Sequence, residues 1–156
     1  MSWVRKACVV LATAGGLGRL PAAPGTWGSL LGLGAGWLTL RVELPAPLWL
    51  LLAVKFAACA WIAGVAERAL DRHDAPEIVI DEVWGMAAVL VILPASAASA
   101  WSLLAAFALF RAFDILKPPP LKMLARLPGG WGIMADDAGA SAYTILLLLF
   151  WVRLTG

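Results

Sequence analysis

The chain has 156 residues, of which 62% are hydrophobic and 14% charged, with a net charge of +2 and a mean hydropathy of +0.87. Soluble domains run at about 45–50% apolar and about 25% charged, so this is a membrane-protein composition, with length for a single domain over 1–156 and little beyond it. No dense basic run exists, which sets nucleic-acid binding aside, and Cys8 and Cys59 lie apart in apolar stretches without disulfide or metal spacing, as structural thiols do.

The first stretch, MSWVRKACVVLATAGG, joins a charged start, a short apolar run and an Ala12-Thr13-Ala14 triplet in the manner of a secretory signal. Two things weigh against that reading: the loop behind it looks like part of a site, and later segments already supply membrane insertion. That loop, GGLGRLPAAPGTWG (15 to 28), is rich in Gly and Pro and leads into the first apolar segment, about 28 to 40. A Gly-rich turn entering a helix N-terminus offers backbone N–H groups to an anion. A plain Pro-Gly turn with Ser29 as N-cap explains PAAPGTWGS equally well, since neither the P-loop nor the dinucleotide-binding spacing is present.

Four further apolar segments follow at about 47 to 66, 83 to 93, 96 to 113 and 138 to 152, with polar connections at 41 to 46, 67 to 82, 94 to 95 and 114 to 137. A spanning helix needs about 20 residues, so the segments at 28 to 40 and 83 to 93 must recruit flanks, tilt, or enter only part way. Length and the Ala and Leu content favour helix throughout. The expected fold is all-α, a multi-pass membrane helical bundle with some short or partly penetrating helices, and nine Trp suit its interfacial belts. If the five segments alternate, Arg5, Lys6, Arg19, Arg68, Arg72, Arg111, Lys117, Lys122 and Arg126 share one side and only Arg41 and Arg153 face the other. The positive-inside rule makes the richer side cytoplasmic.

Five of the ten acidic residues, Asp81, Glu82, Asp114, Asp136 and Asp137, fall at that cytoplasmic edge. A lone Asp there is readily a helix cap. Two adjacent acids at the head of each of two segments are not, because one residue of each pair can occupy the N-cap. Converging carboxylates repel, and a hard divalent ion such as Mg²⁺, which also takes phosphate oxygens, relieves the repulsion. In FRAFDILKPPP (110 to 120), Arg111, Asp114 and Lys117 recur every third residue. They read either as an intrahelical ion pair with snorkelling cations or as a phosphate clamp. His73, the only histidine, reads as a solvated loop residue. Neither a Cys-x5-Arg loop nor an Asp-x-Asp signature nor a histidine pair is present, so phosphoryl chemistry here would rest on acids, cations and metal.

Taken in order, APGTWGS (23 to 29), EIVIDEVWG (77 to 85), FRAFDILKPPP and GGWGIMADDAGASAY (129 to 143) resemble the phosphatidylglycerophosphatase A family, bacterial membrane lipid phosphatases. The resemblance runs from about Gly15 to Tyr143, with departures at 17 to 22 and in the triple proline at 118 to 120. It implies an all-helical Mg²⁺-dependent enzyme of the inner membrane, acting at its cytoplasmic face on a phospholipid partner. The reaction implied is release of phosphate from phosphatidylglycerol phosphate. It further implies a metal site at Asp81, Glu82, Asp136 and Asp137, catalytic roles for these and Asp114, and substrate contacts from Pro24, Gly25, Thr26, Arg111 and Lys117. Either water or an aspartate would be the nucleophile. Two rivals stand beside it. A cation carrier or channel predicts carboxylates near the bilayer midplane and no Arg-Lys pair. A CDP-alcohol phosphotransferase predicts a spaced Asp pattern that is missing.

Overall fold

A computed structural model describes residues 2–42, 47–93 and 99–155. Helices α1 (Trp3–Ala12), α2 (Pro24–Arg41), α3 (Leu48–Leu70), α4 (Ile80–Ile92), α5 (Ala100–Leu116), α6 (Leu121–Leu124) and α7 (Gly130–Thr155) follow one another, with a 3-10 turn at Ala14–Arg19 between the first two. No strand occurs among the described residues, so the chain is all-α. The predicted connection at 94 to 95 and the first residues of the segment at 96 to 113 lie outside the described residues, as does most of the connection at 41 to 46.

Local chemistry sets the helix ends. Ser2 and Ser99 cap α1 and α5, Ser99 accepting from the Ser102 N–H at 3.1 Å. Pro24 opens α2 at its first position, where a missing N–H costs nothing. At the far end of α5, Lys117 turns left-handed (φ 44°, ψ 62°) and three prolines forbid continuation. Two sequence expectations need correction here. Helix α2 begins at Pro24 and not near 28, so Ser29 is no cap; its hydroxyl donates to the Gly25 carbonyl at 2.8 Å inside the helix. Helix α7 begins at Gly130, two turns before the predicted 138, because glycines do not end a helix that neighbours hold in place. Helix α1 is a packed element, in line with the weight against a secretory signal: Cys8 is buried, and Val9 and Ala12 cluster with Ala63 and Ala66 of α3 and Ile133 of α7.

Helix α4 is the centre, with α2, α3, α5 and α7 around it. Its 13 residues rise about 20 Å, short of a roughly 30 Å hydrocarbon core. Against α2 the contact is backbone to backbone. Gly28, Gly32 and Gly36, one per turn, face α4, and a Cβ on Gly32 would lie 2.6 Å from the Val83 carbonyl oxygen and 2.9 Å from the Met86 Cβ. Lipid gives helices no hydrophobic reason to associate, so such seams rest on close van der Waals contact between small residues. Against α7 the register is fixed by the Ser141 hydroxyl, which donates to the Gly85 carbonyl at 3.0 Å. Met86, Val89, Phe110 and Ala140 close the core beneath.

Two helices, Leu48–Leu70 and Gly130–Leu154, are long and apolar enough to cross a membrane. Only 17% of the α3 window is buried, against 44% for α7. An apolar helix that turns most of its surface outward marks a face for lipid or for another protein. Eight of the nine Trp are exposed, while Trp84 donates its indole N–H to the Leu52 carbonyl at 3.2 Å.

Candidate active site

The starts of α2 and α4, the end of α5, the loop before α4 and the second turn of α7 converge on one polar cleft of about 270 Å³. Its walls carry Pro24, Gly25, Asp81, Glu82, Arg111, Asp114, Lys117, Asp136 and Asp137. Of the residues singled out in the sequence, Thr26 is the one the fold does not bring to the cleft wall; it follows Gly25 around the helix. His73 also stays away, at 2.5 Å from Glu67 Oε1 on the exposed side of the loop.

Neither acid pair caps a helix. Val79 holds the N-cap position of α4, with Asp81 and Glu82 in its first turn, and Asp136 and Asp137 sit well inside α7. The Ser141–Gly85 bond explains their meeting, since Asp137 and Asp81 each lie four residues, about one turn, before that bond on helices running the same way. Burial is deep: Asp81, Asp136 and Asp137 are 8%, 5% and 2% exposed.

The two cations divide the acids between them. Arg111 Nη1 donates to Asp114 Oδ2 at 2.6 Å and stands 3.7 Å from Glu82 Oε1. Lys117 does not continue the helical row with Asp114 that its spacing predicted. Its left-handed position ends the helix and sends Nζ to Asp136 Oδ2 on α7. The turn behind it is tied down by the Tyr143 hydroxyl, which donates to the Pro119 carbonyl at 2.8 Å. That hydrogen bond with Asp136 keeps the Lys117 ammonium above its ordinary pKa although burial works against it.

Among the described residues of the cleft, three buried oxygens meet no donor: Asp81 Oδ1, Glu82 Oε2 and Asp137 Oδ2. Burial, then the charges of Glu82 and Asp137, pushes the Asp81 carboxyl well above the usual carboxylate range, and burial pushes Glu82 up to about 7. Such a group is expensive without a partner that favours its charged form. An all-oxygen donor set with bare lone pairs is what a hard divalent cation takes, so the residues present fit Mg²⁺.

Gly25 has a visible reason to lack a side chain. A Cβ there would run into Glu82 Oε1 and lie 2.7 and 2.9 Å from the Arg111 guanidinium nitrogens. Asp74 is the wall residue that reading the sequence missed. It sits in DRHDAPE beside His73, where the histidine drew attention and no periodicity marked the acid. Ala23, Asp74 and Lys117, all on the cleft wall, adopt positive φ without being glycine. Strain of that kind gathers where a fold holds a site in place.

The profile of the phosphatidylglycerophosphatase A family matches residues 10–152, nearly all of the chain. The chain belongs to that family. Phosphatidylglycerophosphatase A of Haemophilus influenzae is 38% identical over 140 residues, 89% of this chain and 85% of that protein. The Escherichia coli protein of the same name is 36% identical over 145 residues, covering 90% and 81%. A Bacteroides thetaiotaomicron protein provisionally named a phosphatidylinositol-3-phosphatase is 37% identical over 146 residues, 90% of each chain. No solved structure matches. Membership makes this phosphatidylglycerophosphatase A-type chain a phosphatase, and with its two long apolar helices a membrane-associated one.

Proposed function

We propose that this protein removes the terminal phosphate of phosphatidylglycerol phosphate, with Mg²⁺, at the cytoplasmic face of the bacterial inner membrane. The observation that carries the reading is the meeting of bare buried carboxylate oxygens with Arg111 and Lys117 in one polar cleft. A cation pathway needs acids alone; a phosphomonoester needs a cation site and positive side chains together.

Asp81, Glu82, Asp136 and Asp137 would hold the metal. When bound, Mg²⁺ supplies Lewis-acid polarisation of a phosphate oxygen and neutralises its carboxylate ligands. Arg111 offers a planar fork to two phosphate oxygens, and Asp114 fixes the direction of that fork from one turn away. Lys117 adds a compact charge, held in the cleft by Asp136. Gly25, having no side chain, lets Glu82 and the Arg111 guanidinium pack directly against the start of α2, which fixes where the fork is presented. Acyl chains remain in lipid while the headgroup enters the cleft. The basic residues of the cleft side, nine against two, support a cytoplasmic orientation.

The test is inorganic phosphate release by the purified protein in detergent, from phosphatidylglycerol phosphate and from phosphatidylinositol 3-phosphate, with Mg²⁺ and with EDTA. Turnover of the first lipid that EDTA abolishes is expected. Preference for the inositol lipid would reassign the substrate, and release that persists in EDTA would remove the metal from the reading.

A further inference from the structure

The carboxylates of the cleft fall into two overlapping trios. Asp81, Glu82 and Asp137 each present an oxygen within 4.8 Å of the others, and so do Asp114, Asp136 and Asp137. Two oxygens on one Mg²⁺ at about 2.1 Å lie no more than about 4.2 Å apart, so either trio closes on an ion with small side-chain movement. Asp137 alone belongs to both. It is 2% exposed, and its Oδ2 meets no donor.

We infer that the cleft holds two divalent cations of unequal affinity, with Asp137 as the ligand they share. This rests on the metal-dependent reading above and extends it from a metal site to a pair. Charge supports the number. Fully ionised, as metal binding favours, the six carboxylates of Asp74, Asp81, Glu82, Asp114, Asp136 and Asp137 face two cationic side chains across the cleft, a formal balance of −4. A single divalent ion leaves −2, into which a phosphomonoester of nearly −2 would have to enter. Two ions bring the cleft to neutrality before the phosphate arrives. A carboxylate serving two ions is the usual core of paired-metal phosphoryl-transfer sites, where the ions stand about 3.5–4 Å apart.

The inequality follows from the partners. In the first trio only Glu82 has a cation near it, Arg111 at 3.7 Å, and Asp81 Oδ1 meets no donor. In the second, Asp114 already holds Arg111 and Asp136 already holds Lys117. An ion at the second position competes with both side chains for those oxygens, so it binds more weakly.

Mn²⁺ titration of the purified protein in detergent, read by equilibrium dialysis and electron spin resonance, tests the pair without reference to activity. Two Mn²⁺ per chain in two affinity classes are expected, with spectra broadened by exchange coupling at saturation. Asp114→Asn should lose the weaker class and keep the stronger; Asp137→Asn should lose the coupling. Saturation at one Mn²⁺ in the wild-type chain overturns the pair and leaves the single-metal reading intact. Two uncoupled ions overturn the shared ligand, and no bound ion overturns both readings. The wild-type stoichiometry decides even if a variant fails to fold.

Discussion

The pairs Asp81–Glu82 and Asp136–Asp137 look alike in the sequence, each two adjacent acids before an apolar run, and the fold treats them differently. The first pair stands in the opening turn of a short helix, and among the described residues its closest cation is Arg111, 3.7 Å from Glu82. The second lies inside a long helix and is split, Asp136 engaged by Lys117 while Asp137 keeps a bare oxygen. Adjacent residues on a helix point about 100° apart, so a pair is two separate ligands in two separate surroundings. What matters for each acid is which helix its side chain turns toward.

The most severe test of that contrast is within the second pair. Asp137→Asn should lower phosphate release at least roughly 10³-fold, about 4 kcal/mol of barrier, while Asp136→Asn costs roughly tenfold, through a less well held Lys117. Equal losses in a side-by-side turnover assay would erase the distinction. Because Asp137 keeps a buried carboxyl oxygen without a donor, its Asn variant should melt no lower than wild type when both are measured in EDTA.

Gly25→Ala probes the wall shared by Glu82 and Arg111. The added methyl displaces both groups, and misplacement by about 1 Å costs on the order of 10² in turnover. Normal kinetics would mean that wall is slack.

Lys117→Met makes Asp136 resemble its neighbour. With the cation gone, the protein should lose about 1–3 kcal/mol in thermal melts with EDTA, the scale of leaving a buried hydrogen-bonding group unsatisfied. Mg²⁺ should restore part of it, since an ion that binds the native state stabilises by mass action. Unchanged melting would make the Lys117–Asp136 contact incidental to the fold. The smallest effect on the site should come from Gly32→Ala, which strains the seam between α2 and α4 by about 1–3 kcal/mol while turnover at low temperature stays near wild type.

The sequence was informative about composition and about which residues carry charge. All-α architecture followed from apolar segments with Ala and Leu, and nine of the ten residues singled out for the site line one cleft, because charged side chains in so apolar a chain have few places to go. Helix ends were less legible. Gly130 and Gly132 read as loop, yet α7 starts there because Gly130 packs so closely on the Ala60 backbone that a Cβ would collide with it. The row Gly28, Gly32, Gly36 was in plain sight and carried a four-residue period, but taken as part of an apolar run it said nothing of the seam it makes. Asp74 escaped for the opposite reason: its place depends on a loop conformation that no periodicity encodes.

That glycine row has a mechanical consequence. With no side chains between them, α2 and α4 have almost no freedom to slide, so Gly25 at the head of one and Glu82 at the head of the other turn as a single block. The opposite wall hangs from the left-handed residue that ends α5, from a turn that the Tyr143 hydroxyl ties to α7, and from Leu121 of α6, buried against that same helix. A headgroup entering the cleft therefore comes up against a unit that cannot shift piecemeal, and the block carrying Gly25 and Glu82 serves as the anvil of the site.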